Sequence, residues 1–379
     1  MNFNFTEEQL MIRDMIREFT QNEVTPLDEE LDKHGFSHEL YEKMKENGLM
    51  GIHFPEKYGG AEGDAVTSAI TVHELAKGSA SIALFLDAHW LAADTILYHG
   101  TEEQKEKYLY KAATESIFSF ALTEPCAGSD AAGIKTTAKL EEDEWVLNGN
   151  KAWITNAGVA DVYVVLAKTD PDAGAKGISA FIIEKGTPGF SVGKEENKMG
   201  MRGSNTAELI LDNVRIPKSH LLGKIGSGFK IAMIALDGAR ISIGAIAAGL
   251  AEHAMKIARD YANERYAFGK PIAKLYAIQE KLADMAIGIE ATELMTYSTA
   301  KLKAEGKRHT KEAAMVKVLG SEMCMKSCSQ AIQVLGGYGY SREYHVERFL
   351  RDAKLLEIGE GTSEILRMVI GNTVLAEKN

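Results

Sequence analysis

Glu360 stands in the short linker Gly359-Glu360-Gly361-Thr362, with helix-compatible, largely apolar sequence on both sides. A carboxylate between two glycines has no bulky neighbour, so a flat substrate can approach it closely. Side chains on loops held by rigid elements are common places for catalysis. A carboxylate in a water-excluded pocket gains basicity, which suits it to taking a proton from carbon. The plainer reading of the same residues is a solvated Glu in a turn.

Other segments decide between these readings. They are Leu122-Thr123-Glu124-Pro125-Cys126-Ala127-Gly128-Ser129-Asp130, Lys151-Ala152-Trp153-Ile154-Thr155-Asn156, Arg265-Tyr266-Ala267-Phe268-Gly269-Lys270-Pro271-Ile272 followed by Gln279, and Gln333-Val334-Leu335-Gly336-Gly337-Tyr338-Gly339. In this order, and with Glu360, they resemble the acyl-CoA dehydrogenases, FAD enzymes that interconvert acyl-CoA and 2-enoyl-CoA thioesters. The likeness runs from the first helix to the last.

The resemblance implies that Glu360 takes the α-proton of the thioester while a flavin accepts the β-hydride. Some members carry the base just before the arginine matched here by Arg240. That position is Ala239, which leaves Glu360 as the family-type candidate. Asp237-Gly238-Ala239-Arg240 matches a substrate-contacting segment, read here at the start of a long helix. Arg240 is expected near Glu360, helping to hold its charge state. Asp237, Ser129 and Gly361 join Arg240 as implied thioester contacts.

For FAD the resemblance implies Leu122, Thr123 and Ser129 along the flavin, with Trp153, Ile154 and Thr155 packing on and hydrogen-bonding its ring. Arg265, Phe268 and Gln279 match residues that hold FAD across a subunit boundary, the arginine on the pyrophosphate. Gln333, Gly336 and Gly337 match the loop near the adenine end. Thr362 and Glu364 match further flavin contacts. Plainer readings exist for several: a Pro-Gly turn at residues 122–130, a core tryptophan in a hairpin, a solvated arginine at a helix start, a helix C-cap at Gly336-Gly337. If FAD bridges two chains the protein is an oligomer, and the family suggests a homotetramer. The implied electron partner is an electron-transfer flavoprotein.

Composition sets the outer bounds. A chain of 379 residues is long enough for a large core and two or three subdomains. The net charge of -11 with no offsetting basic stretch argues against a nucleic-acid partner. Neither common nucleotide cradle is present, Gly-x-Gly-x-x-Gly after a strand or Gly-x-x-x-x-Gly-Lys-Ser/Thr. The glycine-rich Gly223-Lys224-Ile225-Gly226-Ser227-Gly228 is read as a connector. Three cysteines, Cys126, Cys324 and Cys328, do not suggest a disulfide framework. Cys324 and Cys328 share a helix face without the neighbours a zinc site needs, so no metal is expected. The N-terminus, Met1-Asn2-Phe3-Asn4-Phe5-Thr6-Glu7-Glu8, has no basic-then-apolar leader. No apolar run is read as reaching the ~20 residues that span a bilayer. A cytoplasmic protein without membrane contact is expected.

The elements that must position Glu360 fall into three blocks. Residues 1–117 read as an α-helical domain. Thr6 with Gln9, and Thr101 with Gln104, fit capping boxes, and residues 67–98 read as buried helices. Residues 118–224 hold four of the seven prolines and a series of short strands. Asn148-Gly149 between Trp145 and Ile154 predicts a hairpin, and the strands together predict an antiparallel sheet or barrel. Residues 225–379 read as a bundle of four helices, at 229–264, 279–306, 310–335 and 363–375. The expected class is α+β multidomain, ordered helical, β, helical, as the resemblance also implies.

The chain departs from the family pattern just before the base, where an aromatic or other sizeable residue is usual and Gly359 stands instead. That removes bulk beside the reacting carbons, and Trp90 is expected to fill part of the space. Two substrate readings follow, a short-chain acyl-CoA and a wider aryl one of the cinnamoyl or caffeyl type, reduced with an electron-transfer flavoprotein. A non-catalytic binding or assembly subunit is a separate class, opposed by the retention of Glu360 and Arg240. An oxidase of the same lineage is opposed by chain length. Cys126, inside the flavin loop, has no functional account.

Overall fold

A computed structural model describes residues 5–377, so the reading of Met1–Asn4 as leaderless lies outside the described residues. Both capping boxes form: Thr6 accepts from the Gln9 N–H and Thr101 from the Gln104 N–H, and each glutamine side chain returns to its cap's N–H. They open α1 (Glu7–Phe19) and α6 (Glu102–Thr114), with α2 (Asp28–His34), α3 (His38–Glu46), α4 (Ala65–Ala76) and α5 (Ala80–His99) between them. The Ala/Leu/Ile-rich run becomes α4 and α5, buried almost throughout. α5 and the later helix Gly228–Glu264 are long and apolar enough to span a membrane by composition, contrary to the sequence reading. Their most apolar stretches are 89% and 67% buried inside the protein. The first is apolar all round because other elements cover it on nearly every side, and the second is covered over most of that stretch.

The middle of the chain gives β1 (Phe118–Ala121), β2 (Thr137–Glu141), β3 (Glu144–Thr155), β4 (Val162–Lys168), β5 (Ile178–Glu184), β6 (Phe190–Glu195), β7 (Thr206–Pro217) and β8 (Leu221–Leu222). The sheet order is β6-β7-β3-β2-β4-β5-β8, with β1 also on β4. Two expectations are corrected. First, Asn148-Gly149 is not a turn, because β3 runs through it and pairs with β7, shifting register between Leu147 and Gly149. A Cβ on Gly149 would lie 2.4 Å from Thr136 Oγ1, so this glycine serves a bulge and a close strand approach. The tight turn falls instead at Glu142-Asp143, between β2 and β3, with Glu142 at φ 53. Second, the sheet is mixed: β1 and β2 both pair parallel with β4. Parallel neighbours need a long crossover, which the chain between β1 and β4 supplies.

The last block holds α7 (Gly228–Glu264), the small hairpin β9 (Tyr266–Ala267) and β10 (Lys270–Pro271), α8 (Tyr276–Ala304), α9 (Thr310–Leu335), α10 (Val346–Ile358) and α11 (Ser363–Ala376). The four-helix expectation omitted α10. Its buried Val346, Phe349, Ala353 and Leu356 recur at helical spacing, and it packs on α9 and α7. Because α7 begins at Gly228, Arg240 sits not at its start but about three turns in.

α10 is riveted to the first block by two arginines. Arg348 lies 2.6 Å from Asp28, and Arg351 grips both Asp32 oxygens at 2.9 and 2.8 Å. Bidentate pairs of this kind fix orientation as well as proximity. α4, α7 and α8 meet at His73, whose Nδ1 is 2.6 Å from the Tyr297 hydroxyl. Its Nε2 lies 3.3 Å from Glu252 and 3.4 Å from Glu293, and Lys77 reaches Glu252 at 2.9 Å.

Candidate active site

Glu360 links α10 to α11. α10 ends on its cap, Gly359, and α11 begins at its cap Thr362, which accepts from the Ile365 N–H. Between them Glu360 adopts φ 54. A non-glycine residue in the left-handed region costs on the order of 1–3 kcal/mol, a strain that concentrates at functional sites. The residue is half-buried, but its Oε2 is enclosed and has no hydrogen-bond partner.

Two cations hold this linker through its backbone. Arg240 Nε donates to the Glu360 carbonyl at 3.1 Å, and Lys317 Nζ to the Gly361 carbonyl at 2.7 Å. Arg240 is itself held by Asp237 at 2.7 Å, and Asp237 accepts from the Thr310 hydroxyl at 2.7 Å. Burial pushes the Glu360 carboxyl above its usual range, while the Arg240 and Lys317 charges pull it back. Burial brings Lys317 down to about 8, despite the Glu360 charge beside it. The arrangement is a basic carboxylate with a free oxygen, kept ionisable by two neighbouring cations.

The expected substrate residues Glu360, Arg240, Asp237 and Gly361 therefore come together. Ser129 lies in the exposed loop before Asp130. That loop is anchored by residues that sequence reasoning did not single out as a pair. Lys151 of β3 and Glu124 form a buried contact at 2.8 Å, and Lys151 also donates to the Leu122 carbonyl at 3.0 Å. Thr136 N–H donates to Glu124 at 3.0 Å, and Ala152 N–H to the Thr123 carbonyl at 3.0 Å. Burial lowers Lys151 to about 8. Glu124→Gln should therefore destabilise the protein by about 2 kcal/mol and loosen this loop. The denaturation midpoint and the fraction of bound flavin after gel filtration read the two effects, and an unchanged midpoint would contradict the anchor.

Trp153 is not the buried hairpin tryptophan of the plainer reading. It is 60% exposed at φ 60, between the buried Ile154 and Ala152. Thr155 is half-buried, its carbonyl accepting from the Ser119 hydroxyl at 2.7 Å. Trp90 lies in the N-terminal core, its indole N–H on the Met50 carbonyl at 2.8 Å and its ring edge-on to His53. Cys126 is exposed, while Cys324 and Cys328 are buried with sulfurs 3.9 Å apart.

A second group gathers at a cleft of about 600 Å³ lined by Arg265, Gly336, Gly337 and Tyr338, with Glu360 not among its walls. Arg265 stands over the Tyr338 ring at 5.7 Å. Gly336 does cap α9, as the plainer reading held, with Gln333 exposed in the last turn. A Cβ on Gly337 would meet nothing within 4 Å, so the backbone there faces open space. Phe268, in the β9–β10 turn, is 89% exposed at φ 53. Gln279 is exposed on α8 and bonds the Ala273 carbonyl at 3.0 Å. Glu364 is exposed in the first turn of α11.

Three consecutive family models cover this chain: the acyl-CoA dehydrogenase N-terminal domain at residues 6–116, the middle domain at 119–214 and the C-terminal domain at 226–375. The chain belongs to the acyl-CoA dehydrogenase family. A short-chain specific acyl-CoA dehydrogenase of Clostridium acetobutylicum is 47% identical over 99% of this chain and 100% of its own. The butyryl-CoA dehydrogenase of Megasphaera elsdenii superposes with a TM-score of 0.97 at 44% identity, over 99% of this chain and 100% of that one. A chain from a structure described as the electron transferring flavoprotein of Acidaminococcus fermentans, studied for flavin-based electron bifurcation, superposes at 0.98 with 47% identity over all of both chains. The protein is an oxidoreductase that interconverts acyl-CoA and 2-enoyl-CoA thioesters, and FAD is its cofactor.

The residues present fit that cofactor. A large aromatic ring left 60% exposed at strained backbone geometry, in Trp153, suits a flat partner. Arg265 beside a glycine pair suits a pyrophosphate. Lys317, bonded to the linker, and Asp87, a buried carboxyl pushed up to about 8 by burial and by the Glu360 charge, escaped the sequence reading. Their signal was a lone charge in an apolar helix run: Lys317 among Ala313, Ala314, Val316 and Val318, and Asp87 between Leu86 and Ala88.

Proposed function

We propose that Glu360 is the base that takes the thioester α-proton, with Arg240 and Lys317 setting its charge and Asp237 and Thr310 setting Arg240. The carrying observation is the enclosed, unpartnered Glu360 Oε2. A buried carboxylate oxygen without a donor is costly unless something is meant to meet it. Gly361, at φ 100, lets the linker pass Arg240, whose Nη2 lies 3.6 Å from where a Cβ would stand. FAD, when bound, supplies the acceptor for the β-hydride. Leu122, Thr123, Ser129, Trp153, Ile154, Thr155, Thr362 and Glu364 are the residues proposed to hold its flavin. Arg265, Phe268, Gln279, Gln333, Gly336 and Gly337 are proposed to hold the rest.

Phe268 is 89% exposed and Arg265 lines a cleft that does not include Glu360, which supports the implied sharing of FAD between chains in a homotetramer. An electron-transfer flavoprotein is the proposed electron partner, in line with the Acidaminococcus fermentans neighbour. The long apolar helices are core helices, which fits work in the cytoplasm. Short acyl chains are the first substrate reading, because the Clostridium acetobutylicum relative is described as short-chain specific.

A second reading, a wider aryl acyl group, is favoured by Gly359. The three atoms nearest a Cβ built there are all of Leu355, none closer than 3.6 Å, so a side chain could start there without a clash and its absence leaves room. Anaerobic bleaching of the flavin by butyryl-CoA and by 3-phenylpropanoyl-CoA ranks the two. Gly359→Tyr should cut the kcat/KM for the phenyl thioester by about 10-fold or more relative to butyryl-CoA. If both thioesters lose equally, the space at Gly359 does not set acyl width.

A further inference from the structure

His73 of α4 is 5% exposed, yet its Nε2 has no hydrogen-bond partner. It faces one carboxylate oxygen of Glu252, on α7, at 3.3 Å and one of Glu293, on α8, at 3.4 Å. Neither oxygen lies close enough to the ring's N–H direction to be bonded. The ring is held in this orientation. Its Nδ1 is 2.6 Å from the Tyr297 hydroxyl, and a Cβ on Gly249 of α7 would stand 2.9 Å from its Cδ2. Glu293 and Tyr297 are one turn apart on α8, so one helix face serves both ring nitrogens. A proton on Nδ1, donated to Tyr297, leaves Nε2 with a lone pair turned toward two carboxylates. Three acceptors then converge without a donor among them. A proton on Nε2 instead would bond neither oxygen. The proposed reaction at Glu360 uses none of these groups.

The spacing is that of a metal site. Nitrogen and oxygen ligands at about 2.0–2.1 Å in a tetrahedron stand about 3.3–3.4 Å apart. Both separations from His73 have that value, and all three ligand atoms lie within 4.8 Å of one another. We propose that His73, Glu252 and Glu293 bind a divalent transition-metal ion of the zinc type, with a fourth position left to water. The ion ties α4 of the first block to α7 and α8 of the last. The imidazole ligand selects this class over magnesium and calcium, which take oxygen ligands. The groups behind the ligands fit as well. Tyr297 orients the imidazole, and Lys77, 2.9 Å from the Glu252 oxygen, holds one carboxylate. Glu74, 3.0 Å from Lys77, offsets the charge of that lysine. Glu252 and Lys77 also line a cleft of about 410 Å³, which gives an ion a way in. Spacing along the chain carries no sign of this site, because its ligands stand on three separate helices.

The test uses the FAD-loaded enzyme, treated with a chelator and then titrated with zinc chloride alone. Calorimetry should find one ion per chain, bound in the micromolar range or tighter, and an equal concentration of magnesium should not compete. Glu293→Gln keeps the shape of the side chain and should weaken zinc binding by about 100-fold or more. Tyr297→Phe removes only the group behind His73 and should cost about 10-fold. Glu290→Gln, exposed on the same helix, should bind as the parent does. The unfolding temperature should rise with zinc in the parent and in Glu290→Gln, and stay fixed in Glu293→Gln. Bound flavin retained by Glu293→Gln shows that the loss is of the ion and not of the fold. No saturable zinc binding in the parent overturns the proposal. Binding that Glu293→Gln leaves unchanged overturns it too, since that describes an adventitious ion only. Displacement of zinc by an equal concentration of magnesium overturns the assigned class of ion.

Discussion

Glu360→Gln is expected to lower turnover of every thioester by about 10⁴-fold, the upper range for loss of a positioned general base. The substitution keeps shape, so the linker between α10 and α11 should hold its course. Arg240 and Lys317 bond the carbonyls of Glu360 and Gly361 rather than the side chain, and those bonds survive. Stability should not fall with activity. A carboxyl whose folded pKa is raised favours the folded state most at low pH. That contribution is lost as pH climbs through the raised value, so ionised Glu360 is a burden at neutral pH. The variant should therefore match or exceed the parent in denaturation midpoint at pH 8 while its thioester-driven flavin bleaching nearly vanishes. Activity above about a tenth of the parent's would place the base elsewhere, with Asp87 the first group to examine.

The helical, β, helical order and the linker around Glu360 were legible because local signals and tertiary demands agree there. Two capping boxes, the helical spacing of residues 229–264 and 310–335, and glycines flanking one carboxylate all point one way. The errors fall where a local signal met a stronger tertiary one. Asn148-Gly149 has the composition of a tight turn, but β7 and the approach of Thr136 hold it inside a strand. For Trp153 only the plainer reading, a core residue, is set aside, because β3 leaves it exposed at a positive φ. A pattern of apolar spacing cannot show this, because it carries no backbone angle. The buried charges were harder still. Lys317, Asp87 and the Glu124–Lys151 pair lie far apart in sequence from the groups they meet, and Lys317 and Asp87 look in isolation like polar interruptions of an apolar run.

Arg240→Gln should reduce kcat/KM by about 10²-fold at neutral pH and change the shape of its pH dependence. Arg240 acts on Glu360 in two ways, through its bond to the linker carbonyl and through its charge. Without that charge, burial is opposed by Lys317 alone, and the Glu360 pKa rises further. The base works ionised, so activity rises with pH through that value. Removing Arg240 must then move the acid limb of the profile to higher pH. The loss should be largest at the acid end of the profile and smallest at the alkaline end, which separates a tuning role from simple damage. Asp237 is left with Thr310 in place of its ion pair, so about 3 kcal/mol of stability should go as well, the usual consequence of orphaning one partner of a buried pair. Asp237→Asn with Arg240→Gln should recover part of that stability without restoring the acid limb, because the carboxylate left unpaired is gone and the cation is still missing. An acid limb that stays in place in both variants would mean that Lys317 alone sets the charge of the base.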